Sequence, residues 1–357
     1  MALLAAACGR EAAPSAASGA AASPERILNV YNWADFIEPS VIADFEREFG
    51  IKVHYDVYES NETMEAKLLA GHSNYDIAVP GGAFFAKEVK AGVYQALDDA
   101  RLPNLRNLDP GAVRATAIYD AGNRHGVDYM WLVSTGLGYD AAKVRARAVD
   151  APVGSWRLLF DPAVAGRLKD CGISVLDSPE DVVGAALAFL GKDPNSESLE
   201  DLAAAGEVLK TLRPLVRYVD SSRYIEDLAN GDLCLALGWS GDVVQARQRG
   251  KEAGKGASIV YVIPSEGSVS AVDVLAIPAD APHVANAYTF INYLLRPEVA
   301  AKNAAATSYA SGVIGAGADE AVYPPPEVRA RLKPLRAKSP EFTRALMRLW
   351  TKFKTGA

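Results

Sequence analysis

The chain lacks any run of eighteen or more apolar residues, the length a helix needs to cross a bilayer. It is also poor in metal-ligating side chains. Its four histidines, His54, His72, His125 and His283, are scattered, and no HExxH, HxxEH or CxxC spacing is present. No metal site is therefore expected, and each histidine reads most simply as a surface or turn residue. Positive charge is not in excess: 37 Lys and Arg stand against 44 Asp and Glu, a net charge of −7. That argues against the basic face that phosphate neutralisation requires, so no nucleic-acid partner is expected. No lysine-bearing phosphate loop occurs. Gly315-Ala316-Gly317 lacks the third glycine of a dinucleotide loop and does not sit between a strand and a helix. Gly238-Trp239-Ser240-Gly241-Asp242 approaches a GxSxG nucleophile elbow, but Asp242 stands where the second glycine is required. No cofactor is expected. Nothing here asks for an enzyme, and the remaining enzymatic reading pairs Asp242 with Asp273 as acid and base.

What is present is a globular composition, half apolar and 23% charged over 357 residues. That length suits two lobes better than one core. Short strands and helices alternate, which predicts an α/β layered sheet. Ile27–Tyr31 reads as a strand. Glu38–Phe49 is an amphipathic helix with Pro39 near its start and Gly50 just past its end. Ile51–Tyr58 and Tyr75–Val79 read as strands, and Asn61–Ala70 and Ala83–Ala91 as helices. Further on come helices at Glu180–Leu190 and Leu202–Leu212, the buried strand Leu233–Leu237 and a helix to about Arg249. The strands Ser258–Val262 and Val272–Ile277 and the helix Asn286–Leu295 follow. The tail from Pro324 reads as a Pro-rich turn and then basic helices.

Three aromatic residues sit where a cleft would be built. Trp33 and Trp239 follow strands, and Tyr309 lies in a loop of small residues. In open α/β sheets, ligands bind beyond the carboxyl ends of strands, although such rings can equally cap the edge of a core. Carboxylates occupy comparable places. Asp242 is three residues after Trp239, and Asp273 interrupts an apolar strand. A buried carboxylate is costly without a partner, either an internal arginine or a bound cation. Glu180 and Asp181 open a helix, where acids also serve as dipole partners. Rings and aspartates together suit an organic dication: ammonium groups over rings gain roughly 0.5–2 kcal/mol, and aspartates neutralise them.

Of the three cysteines, Cys8 follows the apolar run Leu3–Ala7 and precedes a Gly/Ser/Ala/Pro-rich stretch that reads as a tether. The layout resembles a bacterial lipoprotein signal, with Cys8 as the lipidation candidate. It departs from one in lacking a basic start and in having Ala5 where leucine is usual. The alternative is that Cys8 is a small residue in a leader.

Longer blocks carry a second resemblance: Leu28–Ile37, Ile51–Ala70, Cys171–Gly191, Lys192-Asp193-Pro194-Asn195-Ser196, Tyr224–Gly241 and Ile291–Pro297. Over nearly all of Ile27–Lys354 the chain resembles the periplasmic putrescine/spermidine-binding proteins of polyamine ABC importers. The resemblance implies a two-lobed α/β periplasmic solute-binding fold with a hinge and an interlobe cleft. It implies a leader over 1–25, lobe one over 26–130 plus 255–310, and lobe two over 131–254 plus 311–357. It implies a monomer that binds a polyamine and docks on a membrane permease. A sensing role for the same fold is the alternative. Trp33, Trp239, Asp242, Asp273 and Tyr309 match the family's pocket residues. Its second-lobe glutamate falls at Asp181, with Glu180 as a stand-in, and its disulfide falls on Cys171 and Cys234.

The departures from the family lie in the pocket wall. Putrescine-binding relatives carry serines at the positions of Gly81 and Ala83, an aromatic residue at Ala271, and often serine at Ala34. The wider, less polar wall leaves a bulkier polyamine, a substituted amine or a broader specificity open.

Overall fold

The computed structural model describes residues 25–254, 258–317 and 322–356. Cys8 and the expected leader lie outside the described residues.

Local signals place the first helices where the spacing predicts. Helix Pro39–Phe49 starts behind Glu38, whose carboxylate accepts the Ser40 N–H, and stops at Gly50, which takes a φ of 63° that side chains disfavour. Helix Asn61–Leu69 is capped by Ser60, whose hydroxyl accepts from the Thr63 N–H.

Among the described residues ten strands follow in chain order: β1 Ile27–Trp33, β2 Lys52–Tyr58, β3 Ile77–Ala78, β4 Gly126–Asp140, β5 Ile173–Val175, β6 Tyr218–Val219, β7 Leu235–Trp239, β8 Ile259–Val262, β9 Ser268–Ala276 and β10 Leu332–Pro334. They run in the order β2-β1-β3-β9-β4-β7-β5-β6, with β8 also on β4 and β10 also on β9. The expected strand at Tyr75–Val79 shrinks to Ile77–Ala78, and Pro80, which has no N–H, keeps the ladder from continuing past Val79. Trp33 and Trp239, expected just beyond their strands, are instead the last residues of β1 and β7. The tail contains β10, parallel to β9, before a single long helix, Pro340–Thr355.

The fifteen-residue β4 organises the two lobes. Its first part, through Ser134, pairs antiparallel with β9. Its second part, Thr135 to Asp140, pairs with β7 and β8. Two separate hydrophobic cores form on either side. One gathers Leu28, Phe45, Ile77, Leu275, Phe290 and Val313. The other gathers Leu137, Trp156, Leu187, Leu235, Ile259 and Trp350. Between the two parts β4 is irregular: its register on β9 shifts twice between Asp128 and Val133, and Leu132 has a φ of 60°, uncommon for a non-glycine residue.

In the second lobe Cys171 and Cys234, 63 residues apart, form a disulfide with their Cα atoms 5.6 Å apart. It ties the chain just before β5 to the chain just before β7, two strands that pair in parallel at Ile173 and Leu235.

Candidate functional site

The ends of β1 and β7 face each other. The Trp33 and Trp239 rings meet edge to face, 5.9 Å between centroids, and Tyr58 tilts against Trp33 at 4.5 Å. Around them lies a cleft of about 990 Å³, its open mouth included.

One end of the cleft is built on the segment that nearly matched a nucleophile elbow. Both of its glycines are packing devices. A Cβ at Gly238 would lie 2.5 Å from the Tyr224 ring, and one at Gly241 2.5 Å from the Tyr309 ring. The close approach lets both phenols reach Asp242. Tyr224 donates to its Oδ2 and Tyr309 to its Oδ1, each at 2.6 Å, while Tyr224 also accepts the Trp239 backbone N–H at 3.0 Å. Ser240 is buried and begins a helix, Ser240–Glu252. Burial pushes the Asp242 carboxyl up to about 6, outweighing the two phenol bonds that pull it down.

Asp273 projects from β9 beside Asp242 and is also buried. Among the described residues no cation pairs with it and no donor meets its carboxylate in hydrogen-bond geometry. The nearest favourable group is the Trp33 indole N–H, itself buried without a partner. Burial first, and then the carboxylates of Asp128, Asp181 and Asp242, hold the Asp273 carboxyl well above its ordinary range.

Asp181 and Glu180 sit in the first turn of helix Pro179–Phe189 in the second lobe. Asp181 is buried and accepts from the hydroxyls of Thr135 and Ser178, the latter at 2.5 Å. Burial still raises its carboxyl, with bonds from Ser178, Thr135 and Trp239 opposing. Glu180 is half-buried at the cleft wall, pushed up to about 7 chiefly by desolvation.

All seven residues singled out from the sequence line this one cleft. So do the small residues Ala34, Gly81, Ala83 and Ala271. A side chain at position 81 would meet Asn61 at 3.1 Å and the Asp273 carboxylate at 3.5 Å, so glycine leaves space directly beside that acid.

Further lining residues escaped the sequence reading, among them Asp35, Tyr58, Glu59, Glu62 and Asp177. Glu62 gave no distinctive signal, since an acid in the first turn of a helix looks like a dipole partner. Asp35 follows β1 with a φ of 53°. Contacts also bridge the mouth: Arg249 of the second lobe pairs with Asp35 at 3.3 Å, and Ser222 donates to Glu59.

The cleft thus presents eight carboxylates and aromatic walls, and among the described residues no lysine, arginine or histidine lines it. Among the described residues no group of three or more His, Cys, Asp or Glu side chains is arranged to hold a metal ion. The arrangement suits an organic cation with apolar segments between its charges.

The chain is similar to known proteins in sequence and fold. The family model for the bacterial extracellular solute-binding protein matches residues 40–330. The chain is 45% identical to the putrescine-binding periplasmic protein PotF of Escherichia coli K12, over 95% of this chain and 94% of that protein. It is equally similar, at 45%, to the putrescine-binding periplasmic protein SpuD of Pseudomonas aeruginosa UCBPP-PA14, over 96% of each. Among solved structures, a putative spermidine/putrescine ABC transporter protein from Listeria monocytogenes superposes with a TM-score of 0.82 at 29% identity, covering 93% of this chain and all of that one. With two cores joined through β4, a cleft between them and a family match over most of its length, the chain belongs to the bacterial extracellular solute-binding proteins.

Proposed function

We propose that the protein captures a polyamine in its interlobe cleft, outside the cytoplasm, and delivers it to a membrane ABC importer. The observation that carries this reading is an aromatic cleft whose deepest acids, Asp242, Asp273 and Asp181, have no cationic partner among the described residues. Buried carboxylates of this kind are costly until a cation arrives. A polyamine supplies ammonium groups for the acids and methylenes for Trp33, Trp239 and Tyr58. The names of the relatives, putrescine- and spermidine-binding proteins of the periplasm, support the same ligand class and compartment.

In this reading the lobes close over the ligand by bending where the chain crosses between cores, at β4 near Leu132 to Thr135 and in the Ile263–Gly267 link. Strand pairing and core membership favour lobe one as about 26–134 plus 264–316 with the 332–335 segment that pairs with β9, and lobe two as about 135–254, 258–263 and 339–356. The protein acts as a monomer that presents its closed form to a permease, and Cys8 is its candidate lipid anchor.

Calorimetry of ligand-stripped protein against putrescine, cadaverine, spermidine, spermine and agmatine tests the ligand. Binding of at least one is expected, and no heat with any of them sinks the assignment. Because Trp33 and Trp239 line the cleft, binding should also shift or quench tryptophan fluorescence. Replacing both tryptophans by phenylalanine should abolish most of that change.

Affinity should depend on pH. Alkylammonium groups stay charged between pH 5.5 and 8. Asp242, at about 6, and Glu180, at about 7, take up protons across that interval and lose their attraction for the ligand. Binding should therefore weaken about tenfold or more from pH 8 to pH 5.5, with protons released on binding near neutrality. Titrations in buffers of different ionisation enthalpy measure both, and a flat profile counts against these carboxylates as ligand contacts.

A further inference from the structure

Asp273 has a hydrocarbon hollow beside it. On β9, Ala271 and Asp273 are two residues apart and both line the cleft, so they share one face of the strand, about 7 Å from each other. Asp273 is 6% exposed, and among the described residues no cation pairs with it. Gly81 makes an antiparallel bridge to Asp273, and a Cβ on that glycine would come within 3.5 Å of the carboxylate. The acid is thus flanked by positions that carry one side-chain carbon or none.

Beyond Ala271 the wall is apolar. Val133 on β4 stands opposite Ala271 in the β4–β9 register. Ala83, in the first turn of helix Gly82–Lys90, packs with Val269 of β9 and with Leu335 in a small cluster of its own. Leu335 is fixed there by its backbone N–H, which donates to the Ser270 carbonyl at 2.8 Å. Ala83, Val133, Ala271 and Leu335 all line the cleft, and Ala271 keeps part of its surface open to it.

None of these four side chains donates or accepts a hydrogen bond. An ammonium group set among them would be desolvated without compensation, whereas a hydrocarbon group gains by leaving water. The cleft has the volume for such a group. Its 990 Å³, open mouth included, lies at the upper end of the roughly 300–1,000 Å³ of sites that enclose drug-sized molecules. A four-carbon diamine fills far less.

Resting on the polyamine reading above, we propose that this hollow is a subsite for an uncharged substituent on the amine that Asp273 holds, so that the cleft takes an N-alkyl- or N-aryl-substituted diamine in preference to an unsubstituted one. Asp273 pairs with the substituted ammonium group. The substituent turns away from the carboxylate onto Ala271, Val133, Ala83 and Leu335. The second ammonium group stays with the remaining acids of the cleft.

Calorimetric titration of the full-length, ligand-stripped protein with putrescine, N-benzylputrescine and spermidine provides the test. Spermidine carries a substituent of comparable reach on one nitrogen, but a charged one. Wild type should bind N-benzylputrescine at least tenfold tighter than putrescine, and this gain should exceed the one that spermidine gives. Ala271→Phe fills the hollow from β9 and Ala83→Val fills it from the helix. Each should lower the N-benzylputrescine-to-putrescine affinity ratio about tenfold, and the ratio is internal to each variant, so a general loss of affinity does not mask it. The wild-type comparison decides by itself where a variant does not fold. A wild-type ratio near one, a larger gain for spermidine, or a ratio unchanged in both variants overturns the subsite while leaving polyamine binding intact. Failure of wild type to bind any of the three amines overturns the polyamine reading itself, and the subsite with it.

Discussion

Asp273→Asn should weaken polyamine binding by about 2 kcal/mol or more, roughly thirtyfold, because the neutral amide no longer compensates a desolvated ammonium group. The same substitution should stabilise the empty protein at alkaline pH. Asp273 is buried, has no ion-pair partner among the described residues, and has its carboxyl held well above the ordinary range by burial and by three other acids, against the Trp33 indole N–H. A carboxyl raised in the folded state binds protons more tightly there than when unfolded. Its effect on stability is absent below the unfolded value of about 4 and becomes a growing penalty as pH rises toward the folded value. Asn removes that penalty. Ligand-free Asp273→Asn should therefore melt above wild type at pH 8, with the difference vanishing near pH 4. Calorimetric affinities together with thermal melts across pH check both halves. A variant with full affinity, or one less stable than wild type at pH 8, contradicts the assignment of Asp273 as an unpaired anion awaiting a cation.

Replacing both Cys171 and Cys234 by serine should cost roughly 4 kcal/mol of stability in the loop-entropy model, given their sequence separation of 63. The bond sits at the start of β5 and β7, and the far ends of those strands lead to Asp181 and Trp239. The parallel pairing of Ile173, Ser174 and Val175 with Leu235, Ala236 and Leu237 keeps the strands in register without the covalent link. Ligand affinity below the unfolding transition should thus change little while the urea midpoint falls. An unchanged midpoint would falsify the view that this bond supports the second lobe; a large loss of affinity in the folded state would show that it also shapes the cleft.

Much of the framework was legible residue by residue. Strand alternation and helix ends are local properties, so Glu38, Pro39 and Gly50 announced the first helix directly. The aromatic–acid pairs at strand ends were legible for the same reason, and Trp33, Trp239, Asp242 and Asp273 do meet at one cleft. The strand β4 was not. It carries Thr135, Gly136 and Gly138 in its second part and pairs on both sides, so it shows neither clean alternation nor a continuous apolar run. The glycines of the near-elbow motif were also opaque, because their purpose is to admit Tyr224 and Tyr309 from distant segments.

From the sequence alone came the α/β character, the placing of the rings and acids on or just after strands, and the expectation of neither a nucleic-acid nor a metal site. Only the tertiary structure decided which of the eight cleft carboxylates stays without a cation. Arg249 reaches Asp35, and Lys354 reaches Asp177, across more than a hundred residues of chain. Glu62 finds Glu180 in its electrostatic field only because two lobes fold against each other. Propensity and periodicity act over a few residues, whereas the charge state of a carboxylate is set by burial and by whatever charges fold to within a few ångströms of it.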